Sequence, residues 1–156
     1  MKYWLLKTEP ETFSLEDLKS RSRAVWDGVR NYTARNNLRS MGAGDLAFIY
    51  HSSTKEPAVV GVGEVVGKAF PDPSQFKPTS PYFEPKARRG IKEIWTSRTI
   101  RYRETLRRPV TLTELKGNSR LKGSLVVSKG ARLSVQSLKP THFREILAMG
   151  NSRKGP

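Results

Sequence analysis

The sequence predicts a single α+β domain: a small, curved, partly closed mixed β-barrel with short helices at its periphery. About six segments rich in β-branched and aromatic residues alternate with four short segments of helical periodicity. The strand segments are too irregularly spaced for a parallel βαβ arrangement, which favours a mixed sheet. A chain of 156 residues suits one domain with a packed core and leaves little room for a second.

The first half of the chain predicts three strands and two helices. Ser14, with Asp17 three residues later, forms a capping-box pattern at the start of a short helix. The segment YTARNNLRSM places Ala34, Leu38 and Met41 near helical spacing, and the glycines of the following GAGD favour an end to that helix. Short runs of apolar residues predict strands at 3–7, 24–26 and 46–53.

The second half predicts three more strands and two more helices. Thr111 and Glu114 form a second capping-box pattern, and Pro140 opens a final helix that extends to Gly150. The run GVGEVVG has the spacing GxGxxxG inside a strand, so it indicates a bulge or a close backbone approach and not a dinucleotide loop. Strands are predicted at 58–70, 95–106 and 131–136, with a proline-rich loop at 71–85 and a flexible basic tail at 150–156.

Composition narrows the function classes. The chain has no cysteine, which excludes disulfides, thiolate metal sites and a cysteine nucleophile. The N-terminal apolar run is too short for a signal peptide, and no segment approaches the roughly 18 apolar residues of a membrane span. We therefore expect a soluble, intracellular monomer without a membrane partner, located in the cytoplasm, with the nucleoid or nucleus as alternatives.

The net charge indicates a polyanionic partner. Lys and Arg total 29 against 14 Asp and Glu, which gives +15 at pH 7. Such a field raises encounter rates with polyanions and supplies phosphate affinity that does not depend on sequence. Nucleic acid is the expected partner. The alternative is a basic protein whose charge serves no specific partner.

The sequence contains no convincing catalytic or metal-binding pattern. Its only histidines are His51 and His142, and His142 is expected at the surface or as a helix cap. Adjacent strand residues point to opposite faces, so His51 cannot readily activate Ser52. No metal-ligand spacing, Walker loop or nucleophile elbow is present. We expect no catalytic residue, no metal and no cofactor.

A basic segment follows the proline-rich loop. Residues 84–108 carry nine Lys or Arg against three Glu, with Trp95 and Tyr102 among them. Cations that track phosphates beside aromatic faces that stack bases are typical of single-strand binding surfaces. Alternatively both aromatic residues belong to the core, because the alternation of residue types along a strand does not show which face of the strand is exposed to solvent. The phosphate-contacting surface predicted from this segment comprises Arg88, Arg89, Arg98, Arg101 and Arg103.

Seven motifs along the chain resemble one family. They are YWLLKTEPETFSLEDL, VWDGVRNYTARNNLR, GDLAFIYHS, GVGEVV, PDPSQF, SPYFEPK and RLSVQ. In this order they resemble the EVE domain family, including its thymocyte nuclear protein group, over residues 1–149. The resemblance implies a PUA-like fold related to the YTH domain, which reads methylated adenine in RNA through an aromatic cage. It also implies binding of modified bases in DNA or RNA.

The resemblance further implies where such a base is held. LLKT matches the opening strand of the YTH domain, which places Lys7, Thr8 and Glu9 along the pocket. VWDG matches the segment that carries a cage tryptophan, so Trp26 is the expected stacking wall and Gly28 allows a tight turn behind it. Hydrogen-bonding groups for base edges or a flanking phosphate are expected from Asp27, Arg30 and Asn31, and further pocket residues from Tyr50, His51, Ser52 and Ser134.

The expected function is a non-catalytic module that reads a modified base, methylated or hydroxymethylated, in an aromatic-lined pocket beside the basic surface. Tyr82, in the proline-rich loop, is the candidate for the second aromatic wall. Two alternatives stay open. One is an enzyme or accessory factor that processes modified nucleic acid, and the other is a pocket for a free nucleoside or a similar small molecule.

Overall fold

The computed structural model describes residues 1–129 and 132–152. Six strands form one mixed sheet in the order β2-β5-β4-β3-β1-β6. The strands are β1 Tyr3–Thr8, β2 Arg23–Trp26, β3 Leu46–His51, β4 Ala58–Pro71, β5 Thr96–Thr111 and β6 Val135–Leu138. The helices are α1 Leu15–Arg21, α2 Tyr32–Ser40, α3 Leu112–Gly117 and α4 Pro140–Asn151, with short 3-10 turns at Pro73–Phe76, Ser119–Leu121 and Leu125–Val127.

The sheet is mixed and, among the described residues, open at both edges. β1 pairs with β3 in parallel, and every other neighbouring pair is antiparallel. The register of β4 against β5 shifts at three places, which bends the long strands because a bulge adds local twist. A Cβ on Gly61 would lie 2.6 Å from the side chain of Leu15 and 2.7 Å from the carbonyl oxygen of Glu104. The prediction of a bulge or a close backbone approach is therefore confirmed at Gly61, which lies at a register shift and against the backbone of Glu104.

Alternation along the strands divides the core between the two faces of the sheet. Neighbouring residues of β1 illustrate the division, because Leu6 packs with α1 and α2 whereas Leu5 packs with α3 and α4. The first cluster contains Leu15, Leu38 and other residues of the N-terminal half, together with Trp26. The α1–α2 face therefore carries the tryptophan singled out from the sequence.

Local signals predicted the helices well. Ser14 and Asp17 form the predicted capping box at α1, and Thr111 and Glu114 form the one at α3. His142 is buried in α4, which corrects the expectation of a surface or capping position. Among the described residues, none of the helices qualifies as a membrane span.

Two boundaries near the C-terminus differ from the expectation. β6 begins at Val135, four residues after the predicted start at 131, and residue 131 lies outside the described residues. α4 continues to Asn151, and a Cβ on Gly150 would lie 2.5 Å from Leu106. Residues 150 and 151 therefore belong to the packed helix and not to a tail. Residues 153–156 of the predicted flexible basic tail lie outside the described residues.

Arg98 lies in the interior, which corrects its assignment to a phosphate-contacting surface. Arg98 is only 2% exposed to solvent. Its Nη1 donates to the carbonyl oxygens of Leu38 and Met41, and its Nη2 donates to that of Gly67. A helix end leaves carbonyl groups without intrahelical partners, and this guanidinium satisfies those at the end of α2. From its position in β5, Arg98 therefore connects the end of α2 to β4.

Candidate functional site

One cavity of about 570 Å³ contains most of the residues predicted to bind a base. This volume falls within the range of roughly 300–1,000 Å³ that is typical of small-molecule sites. The cavity lies where the ends of β1, β2 and β3 meet the loops before α1 and β6. Its walls are formed by Lys7, Thr8, Glu9, Thr12, Phe13, Trp26, Asp27, Gly28, Val29, Arg30, Ser52, Ser53, Tyr82, Arg132 and Ser134.

Three aromatic side chains line the cavity. Trp26 is almost completely buried, and its ring lies nearly perpendicular to that of Phe13, with centroids 5.9 Å apart. Tyr82 is 39% exposed at the rim. Trp26 and Tyr82, the two residues expected from the sequence as aromatic walls, thus lie on the same cavity. Aromatic faces stack on planar rings, so these side chains offer contact area to a flat, partly apolar ligand.

Gly28 allows the close approach of Tyr82 to the VWDG segment. Its φ is +77°, a conformation that other residues rarely adopt. A Cβ at this position would lie 2.8 Å from the ring of Tyr82. A glycine is therefore required at this position for two reasons: the backbone makes the tight turn expected from the sequence, and the tyrosine ring occupies the space that a side chain would need.

A buried carboxylate holds the two sides of the cavity together. Asp72 is fully buried and accepts hydrogen bonds from the backbone N–H of Gly28 and from Arg30, both at 2.8 Å, as well as from the N–H and hydroxyl of Ser74. Burial acts to raise the pKa of Asp72, but the hydrogen bonds from Ser74, Arg30 and Gly28 outweigh burial and hold the pKa below its ordinary value. Asp72 therefore remains a carboxylate that fixes the turn after β2.

Arg30 extends this network to the aromatic rim. Its Nη2 donates to the carbonyl oxygen of Tyr82 at 2.7 Å and to the hydroxyl of Ser74 at 3.1 Å. Its guanidinium also lies over the rings of Tyr82 and Trp95, at 5.4 and 5.3 Å from their centroids. Arg30 lines the cavity, as expected, but its donors are engaged in positioning the wall.

Backbone hydrogen bonds connect the polar side of the cavity. The N–H of Lys7 donates to the carbonyl oxygen of Ser134, and the N–H of Ser52 donates to that of Thr8, both at 2.9 Å. The hydroxyl of Thr8 donates to the carbonyl oxygen of Phe13 at 2.7 Å. These bonds hold β1, β3 and the segment before β6 in one rim.

The charges on the cavity wall are mixed. Burial lowers the pKa of Lys7. Asp27 is exposed as a residue, yet the surrounding walls desolvate its carboxyl group, and this burial together with the negative charge of Asp72 raises the pKa of Asp27. Its own backbone N–H donates to the Asp27 carboxyl group, and no other described residue does. The carboxyl group keeps further acceptor capacity for a ligand in the cavity.

Three residues predicted at this site lie outside the cavity wall. Asn31 caps α2, where its side-chain oxygen accepts from the N–H of Ala34. Tyr50 is buried in the core on the opposite face of the sheet. The Nε2 of His51 accepts a hydrogen bond from the N–H of Leu15 at 3.1 Å, and burial lowers the pKa of this histidine. All three stabilise elements that surround the cavity.

Five wall residues were not identified from the sequence. Phe13 lies inside the stretch that carries the family resemblance, and its aromatic character was an available signal. Ser53 follows a predicted wall residue directly. The full set is Thr12, Phe13, Val29, Ser53 and Arg132.

The remaining predicted phosphate contacts lie at the surface. Arg88 is exposed, and the guanidinium of exposed Arg89 lies 4.4 Å from the ring centroid of Phe76. Arg101 and Arg103 both pair with Glu64, at 2.8 and 3.0 Å. Arg101 pairs with Arg23, the first residue of β2, whereas Trp26 is the last residue of that strand. Arg101 therefore lies about 10 Å from Trp26 along the strand direction, and Arg103 lies farther away.

Two further features bear on chemistry. Trp95 is 6% exposed and its Nε1 donates to Glu84, so it belongs to the interior and not to an open binding surface. Among the described residues, no group of three or more His, Asp or Glu side chains is arranged to hold a metal ion.

Comparison with known proteins decides the family. The model of the EVE domain matches residues 2–149. The chain belongs to the EVE domain family. Mouse thymocyte nuclear protein 1 is 38% identical, and the alignment covers 94% of this chain and 73% of the mouse protein. The Danio rerio protein of the same name is 35% identical over 95% of this chain and 71% of its own length.

Solved structures of similar proteins confirm the fold. A protein from Pseudomonas syringae is 42% identical, with a TM-score of 0.91 over 95% of this chain and 99% of its own. The crystal structure of human THYN1 protein in complex with DNA that contains 5-methylcytosine is 34% identical, with a TM-score of 0.92 over the whole of both chains. The α+β, PUA-like architecture implied by the resemblance is thus confirmed, with a sheet that does not close.

Proposed function

We propose that this EVE domain is a non-catalytic DNA-binding module that takes a modified base, with 5-methylcytosine as the first candidate, into the cavity beside Trp26. The human relative crystallised with DNA containing 5-methylcytosine supports the choice of ligand. The observation that carries the proposal is the cavity itself, where Trp26, Phe13 and Tyr82 surround a space of about 570 Å³. The binding domain of this proposal comprises residues 1–149 together with the last two residues of α4, 150 and 151.

The aromatic walls offset the cost of taking a base out of the stack. Unstacking costs a few kcal/mol, and stacking on an aromatic side chain returns about 1–3 kcal/mol per base. Burial of one methyl group adds roughly 0.8 kcal/mol, or about fourfold in affinity. Strong preference for a methylated base therefore also requires a reading of its polar edge. Asp27, with an acceptor available on the cavity wall, is suited to that reading.

Positive charge supplies affinity that does not depend on sequence. The net charge of the chain is +15. The candidates for phosphate contact are Arg132 on the cavity wall and the exposed residues Arg88 and Arg89. Phosphate contacts position a protein on DNA but do not read its sequence. This division assigns discrimination to the cavity and general affinity to its surroundings.

The geometry favours binding over catalysis. The Nε2 of His51 accepts from the backbone of α1, so this nitrogen is occupied and does not serve as a base for Ser52. Ser52 lies on the cavity wall, whereas His51 does not. The arrangement that nucleophilic catalysis requires, a hydroxyl within reach of a free base, is not formed by this pair.

The proposal is tested by fluorescence anisotropy with matched oligonucleotides that contain cytosine, 5-methylcytosine or 5-hydroxymethylcytosine at one position, at fixed salt. We expect tighter binding of at least one modified strand. Tyr82→Ala keeps the backbone carbonyl that Arg30 binds and is expected to weaken that binding about tenfold. Tyr32→Ala is the matched control, because Tyr32 is 59% exposed and lies off the cavity wall.

Two results separate the remaining possibilities. Equal affinity of the wild-type protein for modified and plain oligonucleotides would refute the reader function. Competition by the free modified nucleoside at concentrations similar to those of the oligonucleotide would indicate a small-molecule site instead, because phosphate contacts would then contribute little.

A further inference from the structure

A tight turn at residues 88–92 presents an apolar side chain to solvent. Ile91 is 87% exposed, the highest value among the large hydrophobic side chains of the described residues. An exposed isoleucine contributes no burial to the stability of the fold, so its apolar surface is available to a partner. We refer to residues 88–92 as the basic turn.

The backbone of the basic turn is well ordered by its own hydrogen bonds. The N–H of Arg88 donates to the carbonyl oxygen of Lys92 at 2.8 Å, and the reverse bond measures 2.7 Å. Gly90 at the tip has a φ of +75°. Ala87, just before the turn, is buried, and Arg88 donates to its carbonyl oxygen. The turn therefore holds Ile91 outward instead of allowing it to fold back onto the core.

Cations surround this apolar tip. Three exposed basic residues, Arg88, Arg89 and Lys92, lie within the turn, and Lys86 precedes it. Two acids lie close by: Glu93 accepts from the N–H of Gly90 and Glu84 accepts from that of Lys86, both at 3.4 Å. An isolated aliphatic side chain among positive charges is poorly suited to an apolar protein groove. It is suited to DNA, where phosphates attract the cations and the base stack accepts the apolar group.

The basic turn and the cavity wall belong to one anchored loop. Tyr82 of the cavity wall and Ile91 both lie between β4 and β5. Between them, the N–H of Glu84 donates to the carbonyl oxygen of Gln75 at 2.9 Å, and its carboxylate accepts from the Nε1 of Trp95 at 3.2 Å. The guanidinium of Arg89 packs on Phe76. The turn is therefore held in a defined position relative to the wall.

We propose that Ile91 is a wedge that enters the base stack of duplex DNA when the target base leaves it for the cavity. The proposal rests on the proposed function. Extrusion leaves a gap in the stack, and apolar side chains such as isoleucine are inserted between base steps by proteins that distort DNA. Ile91 stabilises the opened duplex, and the neighbouring cations bind the phosphates on either side.

The experiment compares the full chain with Ile91→Ala on 5-methylcytosine DNA in single-stranded and double-stranded form, by anisotropy at fixed salt. Ile91→Ala is expected to weaken binding to the duplex about tenfold, because the variant cannot fill the gap. Binding to the single strand is expected to stay within about twofold, because no stack has to be opened there. Leu125→Ala is the matched control: Leu125 is 39% exposed and lies outside the loop and the cavity wall.

A third DNA sharpens the test. In a duplex with a mismatch opposite the 5-methylcytosine, the base is already easier to extrude, so the deficit of Ile91→Ala is expected to shrink. Equal loss on single and double strands, or no loss on either, overturns the wedge. In both cases the wild-type preference for 5-methylcytosine in single strands still reports separately on the cavity, so the two proposals fail independently.

Discussion

Replacement of Asp72 by asparagine tests whether one buried carboxylate holds the cavity wall in place. The carboxylate accepts from the N–H of Gly28, from Arg30, and from the N–H and hydroxyl of Ser74, all within 2.6–2.8 Å. Asparagine keeps the size of the side chain. It removes the negative charge and places an amide NH₂, which is a donor, where one carboxylate oxygen accepts from Gly28 and Arg30, or where the other accepts from Ser74.

The expected loss follows from these contacts. A hydrogen bond to a charged group contributes about 1.5–3 kcal/mol, and loss of one partner of a buried ion pair costs about 3–5 kcal/mol. The Arg30 side chain is 22% exposed and water compensates it in part, so we expect a decrease of about 3 kcal/mol in the free energy of unfolding. For a domain of this size the decrease corresponds to a fall in Tm of about 6–12 °C.

Urea denaturation of the wild-type protein and Asp72→Asn measures the change directly. Glu64→Gln is the matched control, since Glu64 pairs with two arginines whose side chains are 45% and 53% exposed. Exposed pairs contribute at most about 1 kcal/mol, so this variant is expected to be nearly neutral. A loss below about 1 kcal/mol for Asp72→Asn, or an equal loss in both variants, would refute the reasoning.

Three further predictions concern base selection, the buried arginine and acid stability. Asp27→Asn is expected to reduce a preference of about tenfold for 5-methylcytosine over thymine to within about twofold. The carboxylate accepts from the exocyclic amine of cytosine, whereas the amide can also donate to the keto oxygen of thymine; unchanged discrimination in the anisotropy assay refutes the role. Arg98→Met is expected to destabilise the fold by about 3 kcal/mol in urea, since three carbonyl groups lose their donor, without change in the salt dependence of DNA binding; a smaller salt slope would restore its phosphate role. Because the folded-state pKa of Asp72 is lowered, its stabilisation is present above the ordinary aspartate pKa of about 3.9 and is lost as pH falls through the lowered value. The free energy of unfolding of Asp72→Asn should therefore depend less on pH in that acid range than that of the wild-type protein, and parallel curves contradict this.

Much of the fold could be predicted because its signals are local. Each capping box joins residues three apart, Ser14 with Asp17 and Thr111 with Glu114, so the pattern can be read without the rest of the chain. Strand pairing and sheet order involve distant segments. The sequence therefore supported an α+β class and a mixed sheet, while the order β2-β5-β4-β3-β1-β6 was available only from the structure.

The candidate site was predicted in part, mainly through the family resemblance. Trp26 and Tyr82 lie on the cavity, as expected. Asn31 and His51 have the polar character of ligand contacts, but each accepts a hydrogen bond from a backbone N–H near a helix start. Residue type alone cannot distinguish these two uses of a polar side chain, because both require the same acceptor atom.

By itself the sequence determined the local elements, the surplus of positive charge and the family. Tertiary structure decided which polar groups are left for a ligand, because that depends on partners far along the chain. Arg30 meets Asp72 across 42 positions, and Arg98 meets the end of α2 across about 60. Both arginines have the same charge as those at the surface. They differ because burial is tolerated only where acceptors satisfy the guanidinium, and the fold places those acceptors.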